Sequence, residues 1–214
     1  YEYIIVDGAS TDGTVDIIKR YAGEYPDKIR YVSEPDTGIY NAMNKGVKMA
    51  EGEVIALLNS SDWYADGVLR TVEKYMIPDK YYVIYGEVLE LKDEKPYTVQ
   101  MGGHDFIPEH TLVHPACFVS RGVYEDMGGY DEKYRSAADY DFFLRIFRTG
   151  KVRFIPVYVL MTYFRLGGMS SGIITEFENN DIRYSHGCIS RRVYRITKLK
   201  LFLVKIYRKM ISRG

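Results

Sequence analysis

Three aspartates stand where apolar runs give way to polar loops or where a helix begins, and each could do different chemistry. Asp62 closes Asn59-Ser60-Ser61-Asp62, directly after the apolar run Val54–Leu58. A carboxylate at the end of a buried strand, with Asn59 and Ser61 beside it, suits a hard divalent cation that takes oxygen ligands and keeps positions open for substrate phosphates. The same residue types also favour a helix N-cap. Asp7 ends Tyr3-Ile4-Ile5-Val6 and opens Asp7-Gly8-Ala9-Ser10-Thr11-Asp12-Gly13-Thr14. It could accept hydrogen bonds from a nucleobase or ribose, while the hydroxyls and Asp12 could simply cap the helix that follows. Asp139, in Ala138-Asp139-Tyr140-Asp141-Phe142-Phe143-Leu144-Arg145, falls in the first turn of a helix, where the helix dipole favours a carboxylate. There it could take a proton from a hydroxyl as a general base, or serve only as a cap. Asp141 and Arg145, four apart, read as a surface pair.

Such groups need a scaffold that presents strand ends. Strands are expected at residues 3–6, 29–33, 54–58, 82–91 and 116–119, with a further apolar, β-branched run at 152–163. Helical patterns fall near 14–21, 39–50, 67–75, 121–127 and 138–148. Strands alternating with helices imply an α/β fold with a mostly parallel, Rossmann-like sheet flanked by helices, in which ligands bind at the carboxyl ends of strands. Asp7 and Asp62 both lie there. A Pro/Gly-marked loop from Gly102 to Pro115 holds His104, His110 and His114, and Leu166–Gly172 is a Gly/Ser-rich stretch of the kind that covers a substrate.

Composition bounds the class. With 214 residues, 46% apolar and 27% charged, the chain has material for one substantial core, and disorder, collagen and coiled coil are excluded. No apolar run reaches the ~18 residues of a membrane span. Cys117 and Cys188 are too few for a disulfide framework, which favours a reducing, cytoplasmic setting. The 29 cations balance 29 acids, but nine cations and no acid follow Ser190; residues 1–190 therefore carry 20 cations against 29 acids. In that tail Leu199, Leu201, Phe202, Leu203, Val204, Ile206, Tyr207, Met210 and Ile211 alternate with cations in a helical pattern. It could lie on an anionic bilayer at the inner face of the plasma membrane, or pack on the rest of the chain as an ordinary solvated helix. Nucleic acid is not expected, because the remaining acidic surface would repel phosphates.

Together the segments VDGASTDGT, SEPDTGIYNAMNKGVKMAEGEVIALLNSSDWY, HPACFVSRGVYEDMGGYDEKY, AADYDFFLRI and LGGMSS resemble, in order and spacing, the inverting family-2 glycosyltransferases of the GT-A fold, over about residues 3 to 172. The resemblance implies a catalytic domain at 1–190, followed by the basic tail at 191–214. It implies transfer of a sugar, with inversion, from a nucleoside-diphosphate donor, a UDP-sugar foremost, to a hydroxyl of a glycan or lipid-linked saccharide. Asp7 and Asp36 would line the nucleotide pocket. Asn59, Ser61 and Asp62 fall where the family carries its Asp-x-Asp-type motif, with Asp62 holding Mg²⁺ or Mn²⁺ and Ser61 replacing a second acid. Asp139 would be the general base, preceded by Ala138 where Glu is usual, and Gly8 replaces another common Asp.

Gly168 and Ser170 match a donor-phosphate loop. Asn44 and Lys45 align with a polar pair near the donor, or form a solvated helix face. Either His114 or His186 could complete the metal shell, or both could be structural. Relatives begin with an additional strand that binds the nucleotide, and its absence here implies a truncated sequence. Rival readings are a nucleotide-sugar-binding scaffold without turnover, motivated by Ser61 and Gly8, and a nucleotidyltransferase.

Overall fold

The computed structural model describes residues 1–167 and 172–211, which form two sheets and seven α-helices. The first unit is strand β1 (Tyr3–Asp7), helix α1 (Thr14–Glu24) and strand β2 (Ile29–Ser33), with β1 and β2 parallel. Two parallel strands need a crossover of this kind. The register sets Asp7 opposite Ser33. Gly13 starts α1 at φ 89°, a left-handed conformation open to glycine at little cost. Helix α2 (Ile39–Met49) follows and buries Tyr40 and Met43, three apart on one face.

The second sheet has six strands in the order β3-β7-β5-β8-β4, with β6 paired to β5. Its strands are β3 (Val54–Ala56), β4 (Trp63–Tyr64), β5 (Tyr82–Lys92), β6 (Lys95–Gln100), β7 (Cys117–Ser120) and β8 (Arg153–Arg165). Strand β5 is central and buried from Tyr82 to Gly86, so it reads as a continuous apolar run rather than an alternating one. At the bulge after Tyr85 a Cβ on Gly86 would lie 2.8 Å from both Met161 Cγ and Val157 O, so β8 can approach this closely only at a glycine. Glu2 ties the two sheets together. Its Oε1 accepts from the backbone N–H of Glu51 (2.6 Å) and Gly52 (2.8 Å), and its other oxygen meets Arg30.

The α/β class holds, but the sheet is mixed rather than mostly parallel. Only β1–β2 and β5–β8 are parallel pairs; β3–β7, β5–β7, β5–β6 and β4–β8 are antiparallel. Two elements unforeseen from the pattern account for part of this. Strand β6 returns through a two-residue turn, with Asp93 at φ 51° and Glu94 at φ 61°, the mirror-image turn geometry that suits a tight hairpin. Strand β4 is only two residues long and pairs with Tyr163 and Thr162.

The remaining helices are α3 (Val68–Tyr75), α4 (Arg121–Met127), α5 (Ala138–Arg148), α6 (Ile173–Ser185) and α7 (Arg191–Ile211). Helix α5 is the most enclosed: Phe142, Phe143, Leu144 and Ile146 are fully or almost fully buried. Phe142 stacks on Tyr124 at 5.0 Å between ring centroids. Asp139 therefore stands at the start of a helix that the core holds on nearly every side.

Candidate active site

The three aspartates follow in turn along an arc whose links are Asp36 beside Gly8, Tyr40 bonded to Asp139, and the charges of Asp139 and Asp62 on His114. At one end Asp7 is buried, and its carboxylate accepts from Ser10 Oγ (2.5 Å), Ser10 N (3.0 Å) and Ser33 Oγ (2.7 Å). The Ser10 hydroxyl first, then that of Ser33, holds its pKa below the usual carboxylate range. Asp36 stands against the next residue: a Cβ on Gly8 would come within 2.6 Å of Asp36 Oδ2. Glycine at position 8 thus makes room for Asp36. The other Asp36 oxygen accepts from Gly38 N at 2.9 Å, at the entrance to α2.

Two residues into that helix, Tyr40 donates its hydroxyl to Asp139 Oδ1 at 2.8 Å. Asp139 Oδ2 faces His114 Nδ1 at 3.9 Å. His114 is in turn acted on by the charges of both Asp139 and Asp62, though burial dominates and pushes its pKa down. Its Nε2 is buried and has no hydrogen-bond partner among the described residues. The turn carrying His114 is fixed by Thr162 Oγ1, which donates to Pro115 O at 2.9 Å.

Asp62 closes the arc. Asn59–Asp62 forms a turn with Asp62 N donating to Asn59 O at 3.0 Å. The buried carboxylate then accepts from Asn59 Nδ2 (3.1 Å) and Arg165 N (3.1 Å). It is no helix cap, because the chain passes into β4 and the next helix starts at Val68 after Gly67. Nor does Asp139 occupy the cap position of α5, which is Ala137. The hydrogen bonds to Asp62 come from neutral groups, and burial outweighs them and pushes its pKa up. A buried carboxylate held by neutral donors gains from a directly bound cation, which reverses that shift. The donor set fits a hard divalent ion held by one carboxylate, with phosphate and water oxygens supplying the rest. Among the described residues no three His, Cys, Asp or Glu side chains form a fuller metal cage.

Comparison with known proteins places the chain in a family. The sequence profile of Glycosyl transferase family 2 matches residues 1–155. The chain belongs to that family. It is 29% identical over 178 residues to a PGL/p-HBAD biosynthesis glycosyltransferase of Mycobacterium bovis, covering 81% of this chain and 69% of the relative. It is 25% identical over 158 residues to the chondroitin synthase of Pasteurella multocida, spanning 71% of this chain and 16% of that one. The fold matches S. aureus TarS in its complex with UDP-GlcNAc at a TM-score of 0.66 and 17% identity, over 86% of this chain. This chain spans 57% of that TarS chain.

Within the family-2 framework the remaining residues singled out from sequence divide clearly. Lys45 donates to Pro35 O (2.9 Å) and pairs with Glu34 (2.8 Å), securing the loop that carries Asp36. Asn44 clamps a different loop: its amide donates to Tyr130 O and Glu132, and its oxygen accepts from Tyr130 N, all within 2.9 Å. His186 is bonded to Asp141 at 3.0 Å, and Asp141 also meets Arg145 at 3.6 Å. These contacts set His186 in a packing network instead of the arc. Ser61 is exposed on the Asn59–Asp62 turn, offering its carbonyl to Arg165 Nη1 at 3.4 Å. Gly168 and Ser170 lie outside the described residues.

Sequence reasoning overlooked Tyr40, Ser33 and Arg165. Ser33 could have been found from the parallel register that sets it opposite Asp7. Arg165 comes from the far end of β8, stacks its guanidinium over Trp63 at 5.1 Å and pairs with Glu94 at 2.9 Å. Nothing local in the sequence ties it to Asp62.

Proposed function

We propose that this family-2 protein transfers a sugar, with inversion, from a nucleoside-diphosphate sugar, a UDP-sugar foremost, to a hydroxyl of a glycan or lipid-linked saccharide. The observation that carries this reading is the seating of Asp139 at the start of α5, with Oδ1 bonded to Tyr40 and Oδ2 3.9 Å from His114, whose imidazole also feels the charge of Asp62. Residues 1–190 act as the catalytic unit and 191–214 as a basic appendage. Asp7 and Asp36 present fixed acceptors to the hydroxyls or N–H groups of the donor nucleoside. Asp62 would hold Mg²⁺ or Mn²⁺; when bound, such an ion supplies the positive charge that eases departure of a diphosphate. Arg165 adds a fixed cation beside the same turn. Asp139 takes the proton of the attacking hydroxyl, a contribution of ~10²–10⁴-fold in rate. A single displacement needs no covalent nucleophile, and the buried Cys117 thiol, pushed up in pKa by burial, is not called upon.

Helix α7 supports an acceptor met at a membrane. No described helix is long and apolar enough to cross one. Yet Ile196, Leu199, Leu203, Ile206 and Met210 are 41–61% exposed. Helical periodicity puts them across the helix from Tyr194 and Lys198, which seat α7 on α6 through Tyr184 and Asp181. An outward apolar face on a helix with no acidic residue matches an anionic lipid surface.

The test incubates the protein with a panel of nucleotide sugars, Mn²⁺ or Mg²⁺ and candidate acceptors, and measures nucleoside diphosphate release. Release that Asp139→Asn lowers by ~10²–10⁴-fold is expected. Binding without release would favour a scaffold, and pyrophosphate release from a nucleoside triphosphate a nucleotidyltransferase.

A further inference from the structure

We propose that Tyr40 is a positioning residue for Asp139: it engages Oδ1 and so leaves Oδ2 as the atom that accepts the proton of the attacking hydroxyl. The inference rests on reading Asp139 as the general base. Its geometry is independent of any bound group. Tyr40 and Asp139 are 99 residues apart, yet the phenol donates to Oδ1 at 2.8 Å. Tyr40 is only 7% exposed, and its ring packs at 5.6 Å from that of Tyr130, so the donor arrives on a body with little freedom. Burial, then the charge of Asp139, pushes the phenol pKa upward, which keeps it a donor across the working pH range.

The first backbone N–H groups of α5 are orphan donors, because Ala137 at the cap position has no polar side chain to satisfy them. Tyr40 meets this helix start through the carboxylate of Asp139. On the other side, Oδ2 faces His114 Nδ1 at 3.9 Å, too far for a hydrogen bond. His114 walls this oxygen without occupying it. A carboxylate with one oxygen tethered by Tyr40 and the other without a hydrogen bond among the described residues offers that second oxygen to a positioned hydroxyl.

Because Tyr40 is also part of the packed core, rate alone does not separate positioning from support, and a mutant cycle does. Wild type, Tyr40→Phe, Asp139→Asn and the double variant are assayed for nucleoside diphosphate release with the nucleotide sugar that the panel identifies, alongside UDP affinity. Phenylalanine keeps the ring and the packing. Tyr40→Phe is expected to lower kcat by about 10- to 100-fold, leave donor KM and UDP affinity unchanged, and cost nothing further in the Asp139→Asn background. Wild-type kcat in Tyr40→Phe overturns the inference, as does an equal fold-loss in both backgrounds, which would mark a purely structural role. Full turnover by Asp139→Asn alone would instead overturn the base reading beneath it.

Discussion

Asp139 and Asp141 sit two residues apart at the start of α5, and substituting each in turn separates chemistry from packing. Asp139→Asn keeps the size of the side chain and an oxygen for the Tyr40 hydroxyl, so the expected effect on folding is about 1 kcal/mol or less, the cost of losing one charge in the first turn of α5. Its cost falls on the reaction. Losing a general base raises the barrier by about 3–5 kcal/mol, corresponding to ~10²–10⁴ in rate. Asp141→Ala inverts the pattern. It removes the partner of His186 Nε2 at 3.0 Å and of Arg145 at 3.6 Å.

Breaking a buried pair costs about 3–5 kcal/mol. The side chains of His186 and Arg145 are 19% and 31% exposed, so water recovers part of that. The gain in helix propensity from Asp to Ala is roughly cancelled by the lost charge in the first turn. The net expectation is about 2 kcal/mol, or about 4–8 °C in Tm for a chain of this size. Thermal melts and nucleoside diphosphate release on the two proteins give a direct comparison. Loss of activity with little loss of Tm in Asp139→Asn, and the reverse in Asp141→Ala, is expected. An Asp141→Ala protein that melts like wild type but is inactive would refute the assignment of roles along α5.

Other consequences are as accessible. Ser33→Ala removes one of the hydroxyls that hold the Asp7 pKa down and is expected to cost about 1 kcal/mol at pH 7. A depressed carboxylate stabilises above its unfolded pKa and loses that contribution as pH falls through the lower folded value. The difference from wild type in urea melts should therefore shrink below about pH 4, and a constant difference down to pH 2 would contradict it. Gly8→Ala forces Asp36 away from its 2.6 Å approach; calorimetry should show UDP binding weakened several-fold with Tm nearly unchanged, and unchanged affinity would remove Asp36 from the pocket. Replacing Leu199, Leu203 and Ile206 together by Gln should abolish co-sedimentation with phosphatidylglycerol-containing vesicles. Because each Lys or Arg near such a surface adds about 1 kcal/mol, wild-type binding should fall steeply with salt and with zwitterionic lipid. Wild-type binding that ignores lipid charge would refute the membrane reading of α7.

The contrast between what sequence revealed and what it hid follows the range of the interactions. Helices α2, α4 and α5 were legible to within a residue because each carries its own periodicity and a local start signal. Strand β6 was not, because Lys95-Pro96-Tyr97-Thr98-Val99-Gln100 is mostly exposed, and its turn uses Asp93 and Glu94 at positive φ without the glycine that usually announces one. Strand direction was misjudged for a related reason: alternation of strand and helix implies parallel crossovers, but β7 and β4 enter the sheet antiparallel, through pairings set by distant partners.

The same rule governs the site. Asp7, Asp62 and Asp139 are each marked locally, by a strand end or a helix start, and so could be singled out one at a time. What joins them is non-local. Tyr40 reaches Asp139 across 99 residues, Arg165 N reaches Asp62 across 103, and Ser33 reaches Asp7 across 26. Each of these contacts adds to what the neighbours in sequence supply. Ser33 joins Ser10 in lowering the pKa of Asp7, Arg165 N joins Asn59 in partly offsetting the rise that burial gives Asp62, and Tyr40 leaves one oxygen of Asp139 unbonded. On the proposed roles, three chemically identical side chains become distinct: a fixed acceptor, a carboxylate in want of a cation, and an oriented base. Residue type nominates candidates, and the donors that each carboxylate meets in the fold are what the proposed roles rest on.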